Sequence, residues 1–264
     1  VYDRLKRQGI GDFPEFRIAH VAGPTAAGVF VRASGKSLND GVPGFYSYDG
    51  YHKGFVKAPD AVIRDLAAEE VWVLGIRESD NARRASEATG REALADEVKR
   101  LYLQDYATTW ERFVADITLV RAGTLSDTIQ TARLLSAPDS PLPQLLRAIV
   151  REVSLTETED KSSVEKAVDK AAGAVRDTRQ TLTRLLGAAA PTALAVPAGA
   201  RIGSIVDERF EHLRRLVRAP PNGGAAPIDQ TVGLIDELYQ LMSTTETVVK
   251  SGGAPPASTV PDKV

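Results

Sequence analysis

The side chains Leu94, Val98, Leu101, Tyr102, Tyr106, Trp110, Phe113, Ile117 and Val120 return to one side of the chain about once per helical turn. This spacing predicts a long amphipathic helix from about Glu92 to Val120, with Glu97, Lys99, Arg100, Glu111 and Arg112 falling mostly on the other side. A stripe this rich in aromatic rings cannot stay in water, so other elements must cover it. The expected fold class is therefore mainly α, a multi-helix bundle with a small N-terminal β/loop element.

The other helices follow from the same period. Pro59, Asp60 and Asp65 mark a helix start, and Val62, Leu66, Val73 and Ile76 mark its apolar face, ending near Gly75. Ser126 and Asp127 open a helix through Leu135, and the stretch Ala137 to Pro141 punctuates before another that carries Leu145, Leu146, Ile149, Val150 and Val153. Lys161 to Leu186 has a stripe of small residues, including Val164, Ala167, Ala171 and Ala174. Ile205 to Val217 reads as one helix and Ile228 to Val249 as the last, separated by Pro220-Pro221-Asn222-Gly223-Gly224. Before all of these, Phe16 to Val21 alternates and Gly28 to Arg32 is β-prone, which suggests a small hairpin-like element. The division expected is 1–56 as an aromatic- and glycine-rich β/loop element, 57–187 as the main helical bundle and 188–203 as an Ala/Pro linker. A C-terminal helical pair (204–250) and a flexible tail (251–264) complete it. Val1 in place of methionine, with no charged segment leading into an apolar one, reads as an excised or processed piece.

Composition narrows the chemistry. The 264 residues contain no cysteine, so disulfides, thiolate metal sites and cysteine nucleophiles are excluded. With 33 basic and 35 acidic side chains the formal charge is −2, and the basic run Arg77 to Arg100 is interleaved with Glu78, Asp80, Glu87, Glu92, Asp96 and Glu97, which argues against nucleic acid as a partner. His20, His52 and His212 are far apart and lack metal-ligand spacing, so each reads as a surface or hydrogen-bonded histidine. Gly35-Lys36-Ser37 is only the second half of a phosphate loop, because Phe30 stands where its first glycine belongs. No cofactor, metal or catalytic residue is assigned.

The feature left over is the loop Val42 to Phe55, where Pro43, Gly44 and Gly50 shape turns and Phe45, Tyr46 and Tyr51 supply large rings. It either closes over its own helices, the favoured reading, or docks a partner. This loop, followed by Trp72-Val73-Leu74-Gly75 and then by Leu101-Tyr102-Leu103-Gln104-Asp105-Tyr106 with Trp110 and Phe113, resembles the TssM (IcmF-like) family of type VI secretion inner-membrane core components. Later landmarks keep the family's order: Leu134-Leu135-Ser136, Ser140-Pro141-Leu142, Val206-Asp207 with Phe210, and Leu238-Tyr239.

The resemblance implies a non-enzymatic structural scaffold, a periplasmic segment of an inner-membrane-anchored protein that helps bridge inner and outer membranes. The implied partners are the TssL inner-membrane protein, the TssJ outer-membrane lipoprotein and other TssM copies, with membrane contact only through upstream segments. The family's cytoplasmic nucleotide-binding-like domain and downstream β-rich region are not matched here. The alternatives are a nucleotide-binding or hydrolytic enzyme using Lys36, and an unrelated cytosolic helical adaptor. The candidate structural or interaction residues are Pro43, Gly44, Phe45, Tyr46, Gly50, Tyr51, Trp72, Tyr102, Asp105, Tyr106, Trp110 and Phe113.

Overall fold

The computed structural model describes residues 6, 13–57, 81–156, 198–221 and 223–252. The expected helix after Pro59, with Trp72, the small-residue helix 161–186, linker residues 188–197 and tail residues 253–264 lie outside the described residues. Among the described residues the chain is mainly α with one two-stranded antiparallel sheet.

A short helical turn, α1 (Ile18–Val21), and a 3-10 turn (Pro24–Gly28) lead into β1 (Phe30–Arg32). The aromatic loop then forms three tight turns: 3-10 at Gly44–Tyr46, π-helical at Gly50–Gly54 and 3-10 at Phe55–Lys57. The long helix α2 runs Asn81–Ala115 and is followed by β2 (Ile117–Leu119), α3 (Leu125–Ser136) and α4 (Pro141–Glu152). The other described helices are α5 (Ala198–Arg209), α6 (Glu211–Val217) and α7 (Pro227–Lys250). Helix α2 packs against α5, α7 packs along α3, and α6 joins α4 to α7.

Several boundaries differ from the sequence reading, each for a physical reason. Helix α2 stops at Ala115, so Ile117 and Val120 leave the helical stripe. The next residue, Asp116, accepts hydrogen bonds from Arg32 Nε (2.7 Å), the Ser34 N–H (2.6 Å) and the Ser34 hydroxyl (2.6 Å). The Ser34 hydroxyl, with the Ser34 N–H and Arg32, holds this carboxyl below the usual carboxylate range. Pulled to that turn, the β-prone run after Asp116 pairs with β1, Phe30 opposite Leu119 and Arg32 opposite Ile117. The strand partner of β1 thus comes from beyond α2 and not from residues 16–21, where Phe16 makes only a bridge to Val42.

On α2 itself Leu101 is 39% exposed, while Leu103 and Ala107 are buried beside Tyr102, Tyr106 and Trp110. The expected single helix 205–217 is two, broken at Phe210 (φ −104°, ψ 14°), whose ring is buried. Helix α5 begins at Ala198, inside the stretch expected as linker, directly after Pro197. Among the described residues no helix is long and apolar enough to cross a membrane.

Helix α3 shows how local sequence sets an element. Thr124 accepts from the Asp127 N–H at 3.2 Å, and Asp127 accepts the Thr124 N–H at 3.0 Å, a reciprocal cap that satisfies donors the helix cannot. Thr124→Ala is expected to cost about 1 kcal/mol, measured as a lower urea midpoint with unchanged slope.

Candidate functional site

The loop turns and α2 build one aromatic cluster. Tyr102, Tyr106, Trp110 and Phe113 sit three or four positions apart on α2 and so share its inner face. Phe55 lies over Tyr102 at 3.7 Å between centroids, Phe45 meets Tyr102 edge-on at 5.1 Å, and Tyr51 stacks beside it at 6.0 Å. Phe16 meets Trp110 at 4.9 Å and Phe113 at 5.8 Å, both edge-on. Trp110, Tyr102 and Tyr106 have no solvent exposure. Arg32 closes the far end, its guanidinium 4.6 Å above the Phe113 ring.

Three of the polar tips in this cluster meet backbone. Tyr102 donates to the Phe45 carbonyl (2.6 Å), Trp110 to the Tyr46 carbonyl (2.8 Å) and Tyr106 to the Glu152 carbonyl (2.7 Å). Two successive carbonyls of the loop are therefore held by side chains two turns apart on one helix. Burial pushes the Tyr102 and Tyr106 phenols well above their ordinary range, and burial also raises Tyr51. The phenols of Tyr102 and Tyr106 accordingly remain neutral hydrogen-bond donors. Nearer the surface, Tyr46 reaches Asp105 at 3.4 Å, and Asp105 also pairs with Lys6 at 2.9 Å.

Gly44 and Gly50 allow the loop to fold so tightly. A Cβ at Gly44 would stand 2.0 Å from the Phe13 carbonyl oxygen, and one at Gly50 would stand 2.1 Å from the Gly44 oxygen. Both obstacles are backbone, so the turn itself would have to move. Gly50→Ala is expected to cost about 1–3 kcal/mol and to weaken the near-ultraviolet circular dichroism of the stacked rings, read from a denaturant titration and a spectrum.

Of the predicted residues, the structure brings together Phe45, Tyr46, Tyr51, Tyr102, Tyr106, Trp110 and Phe113, with Pro43, Gly44 and Gly50 shaping the turns and Asp105 at the rim. The favoured internal packing of the loop is what the geometry shows. The half phosphate loop is a surface turn in which Gly35 has φ +75° and Asp40 accepts the Ser37 N–H at 3.0 Å. A carboxylate thus occupies the donor that a phosphate would need.

A second cluster escaped the sequence reading. Asp207 on α5, 3% exposed, accepts the N–H groups of Leu155 (2.8 Å) and Thr156 (3.2 Å), the Thr156 hydroxyl, and Arg214 of α6 (3.3 Å). Arg214 also pairs with Glu211. Beside this cluster the Glu152 carboxylate accepts the Tyr48 N–H at 2.6 Å. Asp207 and Arg214 are seven residues apart and flank the buried Phe210, a charge pair on an apolar helix face, which was the available signal.

A family model described as "IcmF-related: Intracellular multiplication and human macrophage-killing" matches residues 1–154. The chain is 36% identical over 247 residues to the type VI secretion system component TssM1 of Pseudomonas aeruginosa, covering 92% of this chain and 21% of that protein. It therefore spans about a fifth of that relative's length. A solved chain titled "Type VI secretion system membrane core complex" superposes with a TM-score of 0.42 at 16% identity, covering 95% of this chain and 52% of that one. Because the family model covers more than half of the 264 residues, including the aromatic loop and α2 that lock together, the chain belongs to the IcmF-related (TssM) family.

Proposed function

We propose that this chain is a non-enzymatic structural segment of a type VI secretion membrane core complex, lying in the periplasm and helping to bridge inner and outer membranes. The observation that carries this reading is the 36% identity to TssM1 over 92% of the chain. The closed aromatic cluster supports it, since neutral donors aimed at backbone carbonyls stiffen a helix–loop unit and provide no nucleophile. In this reading the cluster residues Phe45, Tyr46, Tyr51, Tyr102, Tyr106, Trp110 and Phe113, together with Trp72, are structural. The partners are TssL, TssJ and further TssM copies.

The segment has no cysteine, so Gln240→Cys on the exposed side of α7 gives it a single thiol in the full-length protein. A maleimide that cannot cross the inner membrane should label that thiol in cells with a permeabilised outer membrane, above the unsubstituted parent. Labelling only after inner-membrane lysis would place the segment in the cytosol and favour the adaptor alternative. Deleting the segment from the full-length protein should abolish co-isolation with TssL and TssJ and stop secretion. Saturable heat with ATP or GTP, lost on Lys36→Ala, would instead establish the nucleotide-binding alternative.

A further inference from the structure

At the end of α4 the chain enters a fully buried turn, Val153, Ser154 and Leu155, before running on from Thr156 towards residues 157–197. Four elements hold this junction. Tyr106 of α2 donates to the Glu152 carbonyl, the Tyr48 N–H to the Glu152 carboxylate, and Asp207 of α5 accepts the Leu155 and Thr156 N–H groups. The fourth is the π-helical turn, whose His52 ring is hydrogen-bonded to the Leu155 backbone. The other ring nitrogen, His52 Nε2, is buried and has no hydrogen-bond partner among the described residues. His52 is thus a neutral imidazole donating through Nδ1.

We propose that His52 is an acid-operated release for the Glu152–Thr156 junction, loosening Leu155 and Thr156 when its second ring nitrogen takes up a proton. The new Nε2–H would be a buried donor that no described residue accepts, a state the fold relieves by parting the π-helical turn from Leu155. The groups that face the ring are specific. Tyr48 (4.3 Å between centroids) and Tyr51 (4.8 Å) flank it, Asp49 lies on its own turn and is paired with Lys53, and Asp207 approaches from α5, paired with Arg214 of α6. Glu152 stands on α4 with its carboxylate bound to Tyr48.

Burial is the main influence on His52 and holds its pKa below the ordinary 6.5, against the opposing pull of the Leu155 bond, Asp49 and Asp207. The unfolded or detached ring therefore protonates first as pH falls. The stability that the closed junction draws from neutral His52 is complete above about pH 6.5 and is lost as pH drops through the lower folded value. This inference is independent of the secretion reading.

The test is amide hydrogen exchange at Leu155 and Thr156 at pH 7.5 and 5.5, expressed as protection factors so that intrinsic exchange cancels. Protection at these two amides should fall at pH 5.5 while that of Tyr106 and Trp110 in α2 is retained. His52→Asn keeps a donor near the Nδ1 position but cannot titrate in this range, and it should abolish the fall. The His52 ring resonances should titrate below pH 6.5. Unchanged protection in the wild type, the same fall in His52→Asn, an equal loss at the α2 amides, or a His52 midpoint at or above 6.5 would each overturn the proposal.

Discussion

Trp110→Ala is expected to destabilise the chain by about 3–5 kcal/mol, the usual cost of emptying a core indole site. The indole has no solvent exposure, touches Phe16 at 4.9 Å and Phe113 at 5.7 Å, and gives its N–H to the Tyr46 carbonyl. The substitution removes the rings' shared packing and also deprives a buried carbonyl of its donor. For a chain of this size the loss corresponds to a fall in Tm of roughly 6–20 °C. Trp110→Phe separates the two effects: it keeps most of the volume and loses the hydrogen bond, so its cost should be nearer about 1–3 kcal/mol. A melting temperature unchanged in Trp110→Ala would contradict the packing of the loop on α2.

Asp207→Ala is expected to cost about 3–5 kcal/mol, the range for removing one partner of a buried ion pair. Two backbone N–H groups and the Thr156 hydroxyl lose their acceptor, and Arg214, with a side chain only 11% accessible, loses its buried anion. Glu211 still reaches Arg214, which places the expectation toward the lower part of that range. Replacing Arg214 with Met in the Asp207→Ala background should recover part of the loss, because the penalty of an uncompensated buried guanidinium disappears with it. Urea melts of the two single variants and the double variant measure this coupling. Strictly additive costs would show that the pair does not act as a unit.

The two predictions differ in how readable their residues were. Trp110 announced itself: a large ring in step with Tyr102, Tyr106 and Phe113 on a helical period can only face a core. Asp207 did not, because its partners Leu155 and Thr156 lie more than fifty residues earlier and contribute backbone N–H groups, which no side-chain pattern records. The same holds for β2. Its first residue, Ile117, continues the stripe of α2 in sequence, and the capture of Asp116 by Arg32 and Ser34 together with pairing to β1 makes the segment a strand. Leu101 and Leu103 show the limit of periodicity within a correct helix: they lie on opposite flanks of the Tyr102 line, the spacing placed Leu101 in the stripe, and the neighbours bury Leu103 instead.

His52 is the most contingent of these residues. As one of three scattered histidines it carried no signal, yet the π-helical turn, the end of α4 and Asp207 of α5 together surround it.

What the amino-acid order determined alone was the helical class, the inner face of α2 and the cap of α3. Each depends on spacing within a few turns of chain, where backbone geometry leaves little choice. Tertiary structure alone decided where α2 stops, which segment pairs with β1, which acid is buried at Asp207 and what surrounds His52. These depend on contacts between residues far apart in the chain, and the free energy of such contacts exists only once the packed neighbours are in place.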